Sequence, residues 1–360
     1  MKHSNTIWNL YLEMFNAPER WKYYSSFNEQ QFALDDILDN GDEAVRFIKE
    51  YFQCGGKFTV VDFIAKYCEP SRAIHSISTF FLGILLIPLF RPHHSNTNCH
   101  SDNNLHLWLW FLTCLYHDMA YKFENDRASL PSMNEFISNQ QVKYDLFKDS
   151  EIKLQGANKK AVRSYYRYRL KEHHCVDHGI VGGVLVYDSL RKNYENIYDD
   201  CLRQGHCDYD DFTYNKLHYG TWHFQEFEKC ANAIIQHNIW FQSKEEKDKY
   251  EKYKEYHLED LTYESSKHPQ YQDWLTALLV FCDTIEPLKR FPTCKPSSIL
   301  QKIKYEFDEQ DYELKISLID SCTNAIQYFD GVLGMKEWTA LSIDTKGKNI
   351  SILGINRLYD

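Results

Sequence analysis

Leu107-Trp108-Leu109-Trp110-Phe111-Leu112-Thr113-Cys114-Leu115-Tyr116 is an almost unbroken apolar run, and it delivers an imidazole and a carboxylate, His117 and Asp118, at its end. The run falls short of the roughly 20 apolar residues that span a bilayer, so it reads as a buried helix, predicted over Leu105 to Met119. A second apolar run, Phe80 to Phe90, is also short and contains Pro88, near which the helix carrying it is expected to end. Ligands carried on helices beside a packed face are held more accurately than ligands on a loop. The first expectation is therefore a mainly α protein with polar chemistry at the end of a buried helix.

Outward from this segment, Glu69-Pro70 marks a boundary, and Ser71 is a candidate cap for a helix carrying Arg72 and His75. Arg91 to Asn104 is polar and reads as a surface loop, and its His93, His94 and His100 have no rigid cage around them. Ala161 to Leu170 is rich in Tyr and Arg and leads into His173-His174-Cys175-Val176-Asp177-His178-Gly179. Gly179, Gly182 and Gly183 suit close helix packing better than a phosphate cradle, since neither a Walker pattern nor Gly-x-Gly-x-x-Gly is present. Residues 198–214 read as a polar loop, and Glu226 to Trp240 as a helix carrying His237. Asp273 to Phe281 leads to Asp283, with Pro287 enforcing a boundary. Strand-like stretches at Ile303 to Phe307, Tyr312 to Leu318 and Asn349 to Leu353 surround a helix near Cys322 to Gly331. The expected organisation is an N-terminal helical support region over 1–69, a helical metal-binding core over 70–294 and a small C-terminal α+β appendage over 295–360.

At 360 residues, 43% hydrophobic and 26% charged, the chain is globular and long enough for a substantial core. Its formal charge of -10, from 41 Lys and Arg against 51 Asp and Glu, argues against a broad nucleic-acid-binding face, which needs an electropositive footprint. A small phosphate substrate stays open, because bound cations reverse the local potential inside an acidic protein. Eleven scattered Cys without regular spacing fit reduced thiols better than a disulfide framework. With no signal-peptide pattern in Met1 to Leu10, a cytoplasmic protein without membrane attachment is expected.

His117 and Asp118 alone carry little information, because neighbours in a helix point in different directions. They gain meaning beside His75, His178, His237 and Asp283, each in or next to an apolar segment that helix packing can bring to one pocket. The order is Arg72-x-x-His75, then His117-Asp118 after Leu109 to Tyr116, then Asp283 after Leu278-Leu279-Val280-Phe281-Cys282. In this the chain resembles the HD-domain metal-dependent phosphohydrolase superfamily, over roughly residues 70 to 290. The resemblance implies an HD-domain-like helical bundle in which the residues matching His75, His117, Asp118 and Asp283 form the basic metal-binding set. His178 and His237 resemble the additional ligands of branches with two or more metals, the HD-GYP phosphodiesterases among them. The Gly-Tyr-Pro signature of that branch is absent, since Asp177-His178-Gly179-Ile180 stands here instead.

The resemblance implies one or two divalent ions, drawn from Fe, Mn, Zn, Mg, Ni and Co, which imidazole and carboxylate ligands suit. One ion is expected on His75, His117, Asp118 and Asp283, and a second on a shared Asp118 with His178 and His237. The implied activity is hydrolysis of a phosphate ester, a nucleotide or a related phosphorylated metabolite, by metal-activated water. His117, Asp118, His174 and Asp177 are the catalytic candidates. Arg72, Lys122, Lys289 and Arg290 are candidate phosphate contacts, although structural ion pairs explain them as well. His174, Asp177 and Glu286 are alternatives as groups that orient ligands or move protons, and His223 is a reserve ligand. Two other classes stay open: a nucleotide-sensing regulatory protein with a non-hydrolytic metal site, and an iron-dependent oxygenase.

Overall fold

The computed structural model describes residues 2–16, 21–25, 32–54, 57, 60–61, 68–90, 100–124, 126, 130–144, 161–205, 207–264, 271, 273–290, 294–308, 310–319 and 325–358, and over these the chain is mainly α. It opens with a strand, β1 (Lys2–Thr6), followed by α1 (Ile7–Asn16), α2 (Leu34–Asp39) and α3 (Gly41–Tyr51). The helical body continues through α4 (Pro70–Phe90), α5 (His100–Tyr116), α6 (Tyr121–Glu124), α7 (Leu130–Tyr144), α8 (Ala161–Glu172) and α9 (His178–Gln204). A hairpin of β2 (Asp211–Tyr214) and β3 (Leu217–Gly220) precedes α10 (Trp222–His237). An excursion of β4 (Gln242–Ser243), α11 (Lys247–Glu255) and β5 (Thr262–Tyr263) leads to α12 (Trp274–Ile285). The chain then runs through α13 (Pro296–Lys302), β6 (Ile303–Asp308), β7 (Glu313–Leu318), α14 (Ala325–Leu333), β8 (Ser342–Lys346) and β9 (Asn349–Leu353).

Pro70 starts α4, where its missing N–H breaks no helical bond, and the Glu69 carbonyl accepts from the N–H groups of Arg72 and Ala73 at 2.8 and 3.1 Å. α4 ends at Phe90, two residues past Pro88 and so near it as expected, Pro88 lacking the N–H that would donate to the Ile84 carbonyl one turn back. By length and composition α4 is able to cross a membrane, yet its most apolar stretch is 78% buried inside the fold. It packs on α5 and α12, and α10 packs on α5 and α12, so these four helices enclose the central core. Trp110 of α5 is fully buried there, and its indole N–H donates to the Phe80 carbonyl of α4 at 3.0 Å.

Along the side of this group, α9 lies on α10. A Cβ on Gly183 would stand 2.5 Å from the Ala231 carbonyl oxygen, and one on Gly179 would stand 2.8 Å from that of Ile234. These glycines, one turn apart on α9, permit a backbone approach that any side chain would block. The approach brings His178, the first residue of α9, against His237, the last of α10.

The C-terminal region is an antiparallel sheet in the order β1-β6-β7-β9-β8. Ile303, Tyr305 and Phe307 of β6 and Leu314, Ile316 and Leu318 of β7 alternate inward. The N-terminal helical region expected over 1–69 opens instead with β1, which pairs with β6 from Lys2 opposite Asp308 to Thr6 opposite Lys304. Its sequence, Lys2-His3-Ser4-Asn5-Thr6, carries no apolar alternation, so only pairing with β6 reveals it as a strand. The hydroxyls of Tyr328 and Tyr305 donate to the Ile285 carbonyl at 2.9 and 3.5 Å, satisfying an end of α12 that has no helical partner and tying it to this layer.

Further differences from the sequence reading have local causes. The polar stretch 198–214 is the last two turns of α9 and the start of the hairpin, and Cys201 and Cys207 are disulfide-bonded there, with Cα atoms 6.3 Å apart, against the expectation of reduced thiols. α10 begins four residues before Glu226, and α5 begins at His100, inside the expected surface loop. His93 and His94 lie outside the described residues. The Gly183→Ala variant is expected to lose about 1–3 kcal/mol of stability in urea denaturation, because the added methyl must push α9 off α10; an unchanged midpoint would refute the close approach.

Candidate metal centre

The apolar helix α5 stops at Tyr116, not at Met119. His117–Ala120 form a turn in which the Met119 N–H donates to the Tyr116 carbonyl at 3.2 Å and the Tyr121 N–H to the Asp118 carbonyl at 2.9 Å. Leaving the helix lets two adjacent side chains face the same space, with His117 Nε2 3.7 Å from Asp118 Oδ2. The other ligand candidates also sit at helix ends or near them. His75 lies in the second turn of α4, His178 starts α9, His237 ends α10 and Asp283 lies in the last turn of α12. Asp177 fixes the start of α9 by accepting the Ile180 N–H at 2.9 Å, and Asp273 does the same for α12 through the Thr276 N–H at 3.1 Å.

Two triads result. His75, His117 and Asp283 have ligand atoms all within 4.8 Å of one another, and so do Asp118, His178 and His237. In the first, Asp283 Oδ1 is 3.0 Å from His75 Nε2 and 3.3 Å from His117 Nε2. In the second, His178 Nε2 is 3.3 Å from both Asp118 Oδ1 and His237 Nε2. Asp118 stands between them, since its other oxygen, Oδ2, is 3.7 Å from the Nε2 atoms of both His75 and His117.

Each imidazole is aimed through its Nδ1. His117 Nδ1 donates to the Cys114 carbonyl and His237 Nδ1 to the Ile234 carbonyl, both at 2.6 Å. His75 Nδ1 meets Glu286 Oε2 at 2.8 Å, and the Ser78 hydroxyl donates to the other oxygen of Glu286 at 2.6 Å. His178 Nδ1 meets Glu124 Oε2, and Glu124 is paired in turn with Arg169. These contacts point the four Nε2 atoms at the carboxylates, an arrangement in which imidazoles present lone pairs to a cation.

The donor set fits a metal on a second ground. His117 Nε2 and Asp118 Oδ2 are buried and have no hydrogen-bond partner. Buried polar atoms are nearly always satisfied, and an ion held between these ligands satisfies both. The electrostatics keep Asp118, Asp283 and His237 in the unprotonated forms that bind a cation, whereas His178 keeps a proton that an ion must displace. Burial pushes Asp118 up, but His117, Lys289 and His178 hold it well below the usual carboxylate range; burial does the same to Asp283, and Lys289, His117 and His75 overcome it. Burial and the neighbouring His178 and His117 push His237 down to about 3. Burial also lowers His178, yet hydrogen bonds to Asp118 and Glu124 raise it to about 10.

The remaining candidates separate. Arg72 lies over the Tyr121 ring, its guanidinium carbon 3.5 Å from the centroid, with Nη1 3.9 Å from Asp118 Oδ2. Lys289 pairs with Asp283 Oδ1. Asp177 is buried and also accepts from the Asn238 amide at 2.8 Å, so it stands behind His178 as a helix cap. His174 is exposed in the bend before α9, with φ 54°, outside both triads. Lys122 is exposed with its ammonium 5.1 Å from the Phe123 ring centre, and the side chain of Arg290 lies outside the described residues. His223 pairs with Glu226 at 2.7 Å on the first turn of α10, apart from the triads. The sequence reading missed Glu124, Arg169 and Tyr121. Six residues separate Glu124 from Asp118, which places it on α6 directly after the ligand turn, and that proximity was the one signal available.

Metal-stripped protein reloaded with zinc is expected to bind two ions per chain by elemental analysis. His178→Ala and His75→Ala should each lose one ion and keep the other; loss of both or of neither in either variant would contradict two separable positions.

Comparison of the chain with protein-family models, with curated proteins and with solved structures finds no match. What the chain shows on its own geometry is a mainly helical fold with buried His and Asp groups that fit a metal ion.

Proposed function

We propose that this chain is a metal-dependent phosphohydrolase of the HD-domain kind, acting on a small phosphorylated substrate such as a nucleotide or a related metabolite. The observation that carries the reading is Asp118, whose two oxygens face two different triads of imidazole and carboxylate ligands. His75, His117 and Asp283 would hold one ion, and His178 and His237 a second, with Asp118 shared. When bound, two such ions supply an activated water and a clamp for the attacking and leaving oxygens of a phosphate ester.

The chain's own residues divide the other tasks. Arg72, 22% exposed and packed over Tyr121, presents a planar fork beside Asp118, suited to phosphoryl oxygens. Glu286 and Glu124 keep His75 and His178 from rotating, and Asp177 with Asn238 holds the start of α9 in place. The acidic balance of the chain favours a small substrate over a nucleic-acid strand.

The test is phosphate release from a panel of nucleotides and phosphate monoesters, with chelation and metal add-back. Turnover should depend on the added metal and fall by about a hundredfold or more in Asp118→Asn. Phosphate release that persists in this variant would reject the site, and oxygen consumption without phosphate release would move the protein to the oxygenase class.

A further inference from the structure

The two triads are built alike in most respects. Each has one imidazole whose Nδ1 is held by a carboxylate outside the triad, Glu286 for His75 and Glu124 for His178. Cations stand close to both triads, but in different places, and Arg72 lies between them, its Nη1 3.9 Å from Asp118 Oδ2, the oxygen that faces His75 and His117. Behind His178 the cation is Arg169, which pairs with Glu124 and stands 3.8 Å from Asp177, neither of them a ligand of the triad of Asp118, His178 and His237. Beside His75, His117 and Asp283 the cation is Lys289, and it pairs with Asp283 Oδ1, the oxygen that also faces both imidazoles at 3.0 and 3.3 Å.

This difference has a physical consequence. A cation behind an orienting carboxylate fixes that carboxylate and leaves the ligand atoms free. A cation on the ligand oxygen competes with an incoming ion for that oxygen's lone pairs and charge. Burial follows the same division. Arg169 has a side chain only 4% exposed and lies over the Trp240 ring at 4.7 Å, whereas the Lys289 side chain is 28% exposed on a flexible four-carbon stem that can swing towards water.

We propose that Lys289 is a built-in competitor for the metal position formed by His75, His117 and Asp283, so that this position loads after, and more weakly than, the one formed by Asp118, His178 and His237. The proposal rests on the metal-centre reading above and adds an order of loading to it. Glu124 is, in the same scheme, a positioning residue for the tighter position, acting through His178 and backed by Arg169.

The experiment is a cobalt titration of the metal-stripped full chain, followed by calorimetry and by the visible absorption of bound cobalt. Wild type should show two phases, and His75→Ala should lack the weaker one. Lys289→Met should tighten the weaker phase roughly tenfold and leave the tighter one unchanged, while Lys289→Arg, which keeps the cation, should stay near wild type. Glu124→Gln should weaken the tighter phase by about tenfold or more. A weaker phase that is unchanged or weakened in Lys289→Met, with a native circular-dichroism spectrum, overturns the competitor role. Loss of the tighter phase in His75→Ala overturns the order. Failure of the wild type to take up cobalt is a separate result, which removes the metal centre itself and the proposal with it.

Discussion

A carboxylate buried between two sets of imidazoles is the constraint around which the rest of this structure is arranged. Asp118 is 3% exposed, and its oxygens look towards His75 and His117 on one side and His178 on the other. Burying charge and unpaired nitrogen at one end of an apolar bundle is costly unless each group is matched. The matching is done in layers. Glu286 and Glu124 take the far sides of two imidazoles, backbone carbonyls take the far sides of the other two, and Ser78 and Arg169 satisfy the carboxylates in turn. The triad atoms left without a hydrogen-bond partner, His117 Nε2 and Asp118 Oδ2, stand 3.7 Å apart across the centre.

Holding these groups at such distances is the task of the apolar packing. The triads are assembled from helix ends, so any sliding of one helix along another would move a ligand directly. Gly179 and Gly183 seat α9 on the backbone of α10, and the Trp110 indole locks α5 to α4. At the far end of α12, Tyr305 and Tyr328 hold the Ile285 carbonyl, two residues past Asp283. The C-terminal sheet is thereby a buttress for a ligand-bearing helix. Its edge strand β1 comes from the N-terminus, so both ends of the chain contribute to that support.

Much of this was legible in the residues, and the limits of that reading are instructive. The apolar run before His117-Asp118 reads as a buried helix and is one; the six metal candidates picked from apolar segments are the six that the fold gathers into two triads. The reading went astray where one more residue of helix or loop changes a direction. A helix through Met119 would have splayed His117 from Asp118, and the turn that begins at His117 is what aims them together. β1 is polar throughout and is revealed only by its pairing with β6.

Local pattern sufficed for the central apolar helices, the chemistry of the ligands and the order in which they occur, because periodicity and residue type are properties of a few consecutive positions. Packing alone chose the partners. Glu286 reaches His75 across 211 residues of chain, Glu124 reaches His178 across 54, and Lys289 and Arg169 fall on a ligand in one case and behind one in the other. Nothing in the spacing distinguishes these two cations, since which carboxylate a side chain meets is set by how distant helices approach and turn their faces, and that is a three-dimensional outcome of filling the core.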